Sequence, residues 1–430
     1  MLPSGAAVRI EPAGFFRGTL TLPGDKSISH RAALIGAMAE GETRVRNFSS
    51  AADCASTLSC LRGLGVAIRQ EGPELVIAGG LEAWRPPDGV LDAGNSGSTL
   101  RMLAGALAGR PFRTTLTGDA SLSRRPLERV AAPLRAMGAS VETTDGKAPL
   151  AVTGGPLRGL RHELPVASAQ VKTAVLLAGL QADGRTTVRE PLPSRDHTER
   201  MLPCFGVRVE RAGLEASVEG RARLRGTSVS VPGDASSAAF LVVAALVLPD
   251  SQIRLPGVLL SPTRAAFLEV LQAMGGRIEV QLEASEPEPV GSIVASSSAL
   301  RGTRVDPALV PWLIDEVPAL AVAAAFASGE LEITGASELR WKESDRIAAL
   351  ASGLRALGAG VRELPDGLVV AGGARLRGAR VFSHDDHRIA MALAIAALAA
   401  EGQSEIERGE CVAVSFPEFY SLLDRATGRG

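Results

Sequence analysis

Six times along this chain of 430 residues a helix-length run of small apolar residues appears with no polar face, and a helix of that kind has to be surrounded by protein. The runs begin near Asp25, Asn95, Ser168, Asp234, Asp315 and Asp385, about 70 residues apart, and each is polar only at its start. Five are followed by a glycine, at Gly41, Gly109, Gly184, Gly329 and Gly402, which reads as a C-cap. Amphipathic segments alternate with them, starting near Ser49, Ser121, Ser194, Ser261, Glu343 and Ser415. Five of these close on one phrase, a Leu four residues before a Gly and then a strand-like run: Leu61 to Gly65, Leu134 to Gly138, Leu202 to Gly206, Leu271 to Gly275 and Leu354 to Gly358. The sixth, Leu422 to Gly428, is a degraded copy. Short β-type stretches such as Leu75-Val76-Ile77 and Leu368-Val369-Val370 flank both helix types. A period of this length limits the fold more than any single propensity does, and it predicts six α/β units.

Six copies exceed what one core of ordinary size accommodates, so two globules of three units each are expected. The break falls near Val231-Pro232-Gly233. Residues 25–233 then hold repeats 1 to 3, and residues 1–24 with 234–430 hold repeats 4 to 6. The strand-like pieces Ala7 to Ile10 and Gly18 to Leu22 are expected to complete the last unit at the other end of the chain.

Composition narrows the function classes. A net charge of −1, no basic tail and 3% aromatic residues provide neither the electrostatic footprint nor the stacking surface of a nucleic-acid binder. The longest apolar runs, such as Ile389 to Ala400, fall well short of a bilayer span, and the first residues show no charged n-region or apolar h-region. A cytoplasmic protein without a membrane partner is expected. Cys54, Cys60, Cys204 and Cys411 form no C-x-x-C and have no His at metal spacing, so they read as buried free thiols and no metal is implied. Lysine occurs only at 26, 147, 172 and 342, every other basic residue being Arg. A Lys inside a motif of such a chain marks a place for a compact ammonium, and Lys26 and Lys342 both stand in motifs.

Polar constellations gather at the unit starts. Gly24-Asp25-Lys26-Ser27-Ile28-Ser29-His30-Arg31 puts two cations and two hydroxyls where a buried helix begins, a place where free backbone N–H groups also face an anion. Asp92 to Arg101 contains Gly94-Asn95-Ser96-Gly97, whose glycines let backbone approach a phosphate. Ser121-Leu122-Ser123-Arg124-Arg125-Pro126 reads as paired guanidiniums at a helix start, where positive charge opposes the helix dipole and an anionic ligand would account for it. Ser168-Ala169-Gln170 opens the third apolar run and Ser194-Arg195-Asp196-His197 follows. Ser168 is equally well explained as an N-cap. In the second half come Asp315-Glu316, Lys342-Glu343-Ser344-Asp345-Arg346 and His384-Asp385-Asp386-His387-Arg388. Carboxylates beside Lys and Arg suit general acid–base chemistry near neutral pH, and equally a salt-bridged capping cluster. Taken together, these residues point to small, multiply anionic ligands.

The segments GDKSISHRAALIGAMAEG, GNSGSTLR, TGDASLSRRPLERV, SAQVKTAVLLAGL, SRDHTERML, PGDASSAAF, IDEVPALAVAAAFA, LRWKESDRI, DDHRIAMALA and SFPEF resemble the enolpyruvyl transferase family. Within it they are most similar to the 5-enolpyruvylshikimate-3-phosphate synthases, and the matches run in order over nearly the whole chain. The resemblance implies two inside-out α/β domains, each built from three β-α-β-α-β-β repeats. It implies transfer of the enolpyruvyl group of phosphoenolpyruvate to the 5-hydroxyl of shikimate 3-phosphate, with release of phosphate and no cofactor, in a monomer sensitive to glyphosate. Carried over by position, Lys26, Ser27, Arg31, Ser168, Gln170, Arg195, Asp315 and Lys342 would bind shikimate 3-phosphate. Lys26, Gly97, Arg125, Gln170, Arg346 and Arg388 would bind phosphoenolpyruvate, with Asn95 and His387 nearby. Asp315 would take the hydroxyl proton, and Glu343 with Lys26 would protonate the methylene carbon.

Two positions depart from the family pattern. Ala169 replaces a common Ser, which leaves only backbone for any contact there, and Val414 stands where many relatives have a Lys. Lys342 or Arg124 is the candidate substitute cation. The alternatives are a UDP-N-acetylglucosamine enolpyruvyl transferase, whose loop cysteine position is Ala120 here, and a non-catalytic phosphate-binding protein of the same fold.

Overall fold

The computed structural model describes residues 7–429. It divides into two compact units: Gly24–Val231, and the residues up to Pro23 together with Pro232 onward. Val231 still donates its N–H to the Arg46 carbonyl within the first of these, whereas the N–H of Gly233 bonds the Gly257 carbonyl in the second.

In chain order the helices are α1 (Lys26–Met38), α2 (Ala52–Gly63), α3 (Gly97–Leu107), α4 (Glu128–Met137), α5 (Ala169–Gly179), α6 (His197–Met201), α7 (Ala235–Val247), α8 (Pro262–Ala273), the single turn α9 (Val310–Leu313), α10 (Val317–Ala325), α11 (Arg346–Ala356), α12 (His387–Leu398) and α13 (Phe419–Ala426). The six all-apolar runs are α1, α3, α5, α7, α10 and α12, and they are buried on every side, with Ala235 through Leu246 of α7 all inaccessible. In the second unit α7, α10 and α12 pack on one another; in the first, α3 packs on α1 and α5. The α3–α5 contact is close because position 105 is glycine. A Cβ there would lie 2.1 Å from the Ala174 carbonyl oxygen, far inside van der Waals contact.

Sheets cover these helices. In the first unit each repeat has a four-stranded sheet in which one outer pair is parallel and the others antiparallel: Ser228–Ser230, Gly41–Arg46, Glu74–Gly79, Ala67–Glu71; then Leu91–Asp92, Arg113–Thr117, Lys147–Thr153, Ser140–Thr144; then Arg161–Glu163, Arg185–Arg189, Glu215–Glu219, Val209–Ala212. The second unit repeats the pattern with Arg17–Thr19, Gln252–Leu259, Val290–Ser296, Arg277–Ala284. Its other two sheets have three strands each, Glu330–Ile333, Gly367–Ala371, Gly360–Leu364 and Val8–Ile10, Ser404–Glu407, Arg380–Phe382. The N-terminal segment is thus shared: Val8–Ile10 joins the last unit as expected, while Arg17–Thr19 opens the fourth.

Several expectations change. The five glycines after the apolar runs are not caps: α1 ends at Ala39 in extended backbone, and Gly41 lies beyond it at φ +92°, turning the chain into the next strand. The left-handed caps belong to the amphipathic segments, at Gly65, Gly138, Gly206, Gly275, Gly358 and Gly428, all with positive φ. In each, the residue after the glycine donates its N–H five positions back, as Val66 does to Leu61 and Arg429 to Asp424, which is a Schellman closure. The sixth copy therefore keeps the geometry after losing the Leu. Finally, Ser121–Arg125 is no helix start: Leu122–Arg124 is a 3₁₀ turn, and α4 begins at Glu128, after Pro126.

Cys54 and Cys60 are buried, but Cys204 is exposed and Cys411 half-buried, against the expectation of four buried thiols. Burial pushes the Cys60 and Cys411 thiols up to about 12. Among the described residues no helix is long and apolar enough to cross a membrane.

Candidate active site

Each unit carries one cluster built on helix starts. In the first, buried Asp25 caps α1 by accepting the Ile28 N–H at 2.9 Å, which sets Lys26 and Ser27 on the first turn. Lys26 Nζ meets Asp53 Oδ2 at 2.8 Å. Arg31, 3% exposed, donates through Nε to Thr198 Oγ1 at 2.8 Å, through Nη1 to the Ser27 carbonyl at 2.8 Å, and through Nη2 to Thr173 Oγ1 at 3.0 Å and the Ala169 carbonyl at 3.3 Å. The backbone of Ala169 thus supplies a contact although its side chain has none to give. Arg195 Nη1 reaches Ser27 Oγ at 3.5 Å. Ser168 is the N-cap of α5, its Oγ accepting from Val171 N at 3.4 Å.

The start of α3 adds a second group. Gln170 accepts from Arg101 Nη1 at 2.8 Å and donates to Ser98 Oγ at 3.0 Å. Arg125 Nη2 lies 3.4 Å from both Asn95 Oδ1 and Ser121 Oγ. Gly97 is the first residue of α3, and a Cβ added there would come within 2.7 Å of Arg101 Nη1 and 3.3 Å of Arg125 Nη1. The glycine leaves both guanidiniums room at the helix start. Arg124, by contrast, is exposed.

His30 sits beneath this cluster, fully buried, with Nδ1 2.7 Å from Thr57 Oγ1. Burial, then the charges of Lys26 and Arg31, hold its pKa well below the usual imidazole value, the opposing pull of Asp25 being weaker. Also buried, Lys172 Nζ bridges Glu190 Oε2 at 2.6 Å and Glu199 Oε1 at 2.7 Å. Burial works to lower its pKa, but the Glu199 and Glu190 carboxylates outweigh that and hold the ammonium above its ordinary value.

In the second unit Asp315 stands just before α10, with three cations around Oδ1: Arg346 Nη1 at 3.3 Å, Arg388 Nε at 3.7 Å and Lys342 Nζ at 3.8 Å. Arg388 Nη1 also donates to the Asp315 carbonyl at 3.0 Å. Arg346, fully buried, spreads its guanidinium over three carboxylates, reaching Glu343 Oε2 at 2.5 Å and Asp386 Oδ2 at 2.8 Å besides Asp315. Burial opposes its charge, but Asp386, Glu343 and Asp315 more than compensate and raise its pKa. Asp386 is the N-cap of α12 and accepts from Arg388 N at 2.9 Å. It is delivered by two successive left-handed residues, His384 at φ +56° and Asp385 at φ +55°, an uncommon conformation for non-glycine residues. Val414 lies half-buried at the end of a 3₁₀ turn.

Arg101, Thr198 and Asp386 were not singled out from the sequence as site residues. Arg101 had a readable signal, one helical turn after Gly97. Thr198 had none, since only the tertiary fold brings it to Arg31.

The EPSP synthase (3-phosphoshikimate 1-carboxyvinyltransferase) family model matches residues 10–423. A 3-phosphoshikimate 1-carboxyvinyltransferase from Acidithiobacillus ferrooxidans is 52% identical over 422 residues, covering 97% of each chain. One of the same name from Halorhodospira halophila is 53% identical, covering 97% of this chain and 95% of that one. Among solved structures, an EPSP synthase from Acinetobacter baumannii superposes with a TM-score of 0.87 at 43% identity, with 97% of both chains covered. The enolpyruvyl transferase NikO from Streptomyces tendae shares the fold, with a TM-score of 0.79 at 20% identity, over 99% of this chain and 98% of that one.

Proposed function

Since the chain belongs to the EPSP synthase family, we propose that it transfers the enolpyruvyl group of phosphoenolpyruvate to the 5-hydroxyl of shikimate 3-phosphate and releases phosphate, a step of aromatic amino-acid biosynthesis. The observation that carries the reading is the surroundings of Asp315, one carboxylate oxygen held within 3.3 to 3.8 Å of Arg346, Arg388 and Lys342. Three cations around a base also grip the anionic groups of the molecule from which it takes a proton.

The roles divide by unit. In the first, Ser27, Arg31, Ser168, Gln170 and Arg195 bind shikimate 3-phosphate, while Lys26, Gly97 and Arg125, with Gln170, bind phosphoenolpyruvate. Arg101, held by Gln170, supplies a further guanidinium for that donor. In the second, Arg346 and Arg388 take the donor's charged oxygens and Lys342 the acceptor's. Asp315 removes the hydroxyl proton as the new C–O bond forms. Glu343, acting with Lys26, delivers a proton to the methylene carbon and withdraws it when the tetrahedral adduct expels phosphate. Guanidiniums fixed in advance on developing phosphate charge lower the barrier without reorganising at the moment of reaction. On this reading the protein works in the cytoplasm as a monomer with small-molecule partners only.

Phosphate release tests this directly, with purified protein, phosphoenolpyruvate and either shikimate 3-phosphate or UDP-N-acetylglucosamine, without added metal. Release with shikimate 3-phosphate alone is expected. Release with the nucleotide sugar alone would overturn the acceptor assignment, and binding of both ligands without any release would favour a non-catalytic protein.

A further inference from the structure

The mechanism above leaves a buried ionic cluster of the first unit without a task. Lys172, Glu190 and Glu199 have side chains 4%, 5% and 3% exposed, and the single ammonium is shared by two carboxylates. Glu190 directly follows the strand Arg185–Arg189, Glu199 lies in α6, and Lys172 lies in α5. One cation therefore fastens both ends of segment 190–199 to α5. Glu190 Oε2 further accepts the Ser194 N–H at 3.4 Å.

That segment carries two side chains of the acceptor cluster. Arg195 reaches Ser27 Oγ at 3.5 Å. Thr198, next to Glu199, accepts from Arg31 Nε at 2.8 Å and pairs with Thr173 Oγ1 at 2.6 Å, Thr173 being the neighbour of Lys172. The segment is irregular except for the five-residue α6, which Pro203 follows in a 3₁₀ turn, so regular backbone hydrogen bonding does little to fix it. Stability alone is a poor reason for such a cluster. Replacing a buried ionic triad by well-packed neutral side chains is commonly neutral or stabilising, whereas removing one member strands a charge.

We propose that Lys172 is a positioning residue for the shikimate 3-phosphate subsite: through Glu190 and Glu199 it sets the placement of Arg195 and of the Thr198–Arg31 pair. This rests on the acceptor reading above. Lys172 touches no ligand, and its effect falls on acceptor affinity, leaving the donor subsite around Gly97, Arg101 and Arg125 in place.

The test compares wild type with the neutral triple variant Lys172→Met/Glu190→Gln/Glu199→Met and with Glu190→Gln alone, which keeps the Lys172–Glu199 pair. Steady-state kinetics, shikimate 3-phosphate binding by calorimetry and urea unfolding are measured on each. The triple variant is expected to unfold at a urea concentration at or above that of wild type. Its KM and Kd for shikimate 3-phosphate should rise about tenfold or more, with kcat at saturation and KM for phosphoenolpyruvate nearly unchanged, and the single variant should fall between. Wild-type KM for the acceptor in a folded triple variant would overturn the inference, as would a uniform loss of kcat and both KM values. Failure of the triple variant to fold would also overturn it, because the cluster would then serve stability. Absence of shikimate 3-phosphate-dependent turnover in wild type would instead sink the reading on which it rests.

Discussion

At the scale of single residues, charge placement decides what each carboxylate does. Asp315 faces three cations yet is itself only part-buried, so a ligand proton has access to it. Asp386, equally engaged with Arg346, is fully buried as a helix cap and can only hold the guanidinium in place. Asp315→Asn should therefore lower kcat about 10²- to 10⁴-fold, the usual worth of a general base, while calorimetry still detects shikimate 3-phosphate binding. Retained turnover would remove Asp315 from the mechanism. His30 gives a different kind of prediction. Its folded pKa lies well below the ordinary imidazole value of 6.5, through burial and then Lys26 and Arg31, with Asp25 opposing. The neutral ring is thus favoured only in the folded state. The stability this represents is fully present above the unfolded pKa and is lost as pH falls below it, because unfolding then takes up a proton. Between pH 6.5 and 5 the urea-unfolding free energy of wild type should fall more steeply than that of His30→Gln, by up to about 1.4 kcal/mol per pH unit. Parallel slopes would show that the imidazole titrates alike in both states.

At the scale of elements, the sequence and the fold agree where a pattern is local and part where it is not. The all-apolar runs were legible because a helix without a polar face has one solution, burial, and all six are interior helices. The Leu-to-Gly phrase was legible as well, since a left-handed C′ residue disfavours any Cβ. The apolar-run glycines are not caps because each helix closes before its glycine is reached, α1 at Ala39 in extended backbone and α3, α5, α10 and α12 at Ala108, Leu180, Phe326 and Ala399 without a left-handed residue. Arg124 and Arg125 read as part of a helix start at Ser121, but the helix begins only at Glu128, after Pro126. Within the site, hydroxyls and cations on helix first turns could be read from spacing, but Thr198 on Arg31 could not, because a contact across 167 positions depends on which repeats pack together. The caps carry a measurable consequence. Gly206 sits at φ +83° with nothing within 4 Å of a built Cβ, so Gly206→Ala isolates backbone strain from packing. It should cost roughly 1–2 kcal/mol, read as a lower urea midpoint. An unchanged midpoint would mean that the closure tolerates a side chain.

At the scale of the whole molecule, the two units are closed in different ways. In Gly24–Val231 every sheet is completed from within: Ser228–Ser230 returns to run parallel to Gly41–Arg46, so the end of the segment closes the repeat at its beginning. The other unit depends on both ends of the chain. Arg17–Thr19 lies along Gln252–Leu259 and Val8–Ile10 along Ser404–Glu407, and the same N-terminal stretch buries Phe16, Leu20 and Leu22 along with Val8 and Ile10. At about 1.5–3 kcal/mol for each large apolar side chain buried, that stretch contributes on the order of 8–15 kcal/mol, as much as the entire net stability of an ordinary domain. A fragment of residues 24–231 should consequently fold alone, with one cooperative urea transition and helical circular dichroism, and without activity because Asp315 and Glu343 lie outside it. A fragment of residues 232–430 should show no cooperative transition by itself, and should regain one when a peptide covering residues 7–23 is added. If the 232–430 fragment instead unfolds cooperatively without the peptide, the N-terminal strands decorate that unit without stabilising it, and the repeats Ala235–Val247 to Phe419–Ala426 hold a core of their own. If the 24–231 fragment fails to fold, closure by Ser228–Ser230 is insufficient, and the first unit too draws stability from residues beyond its own sequence.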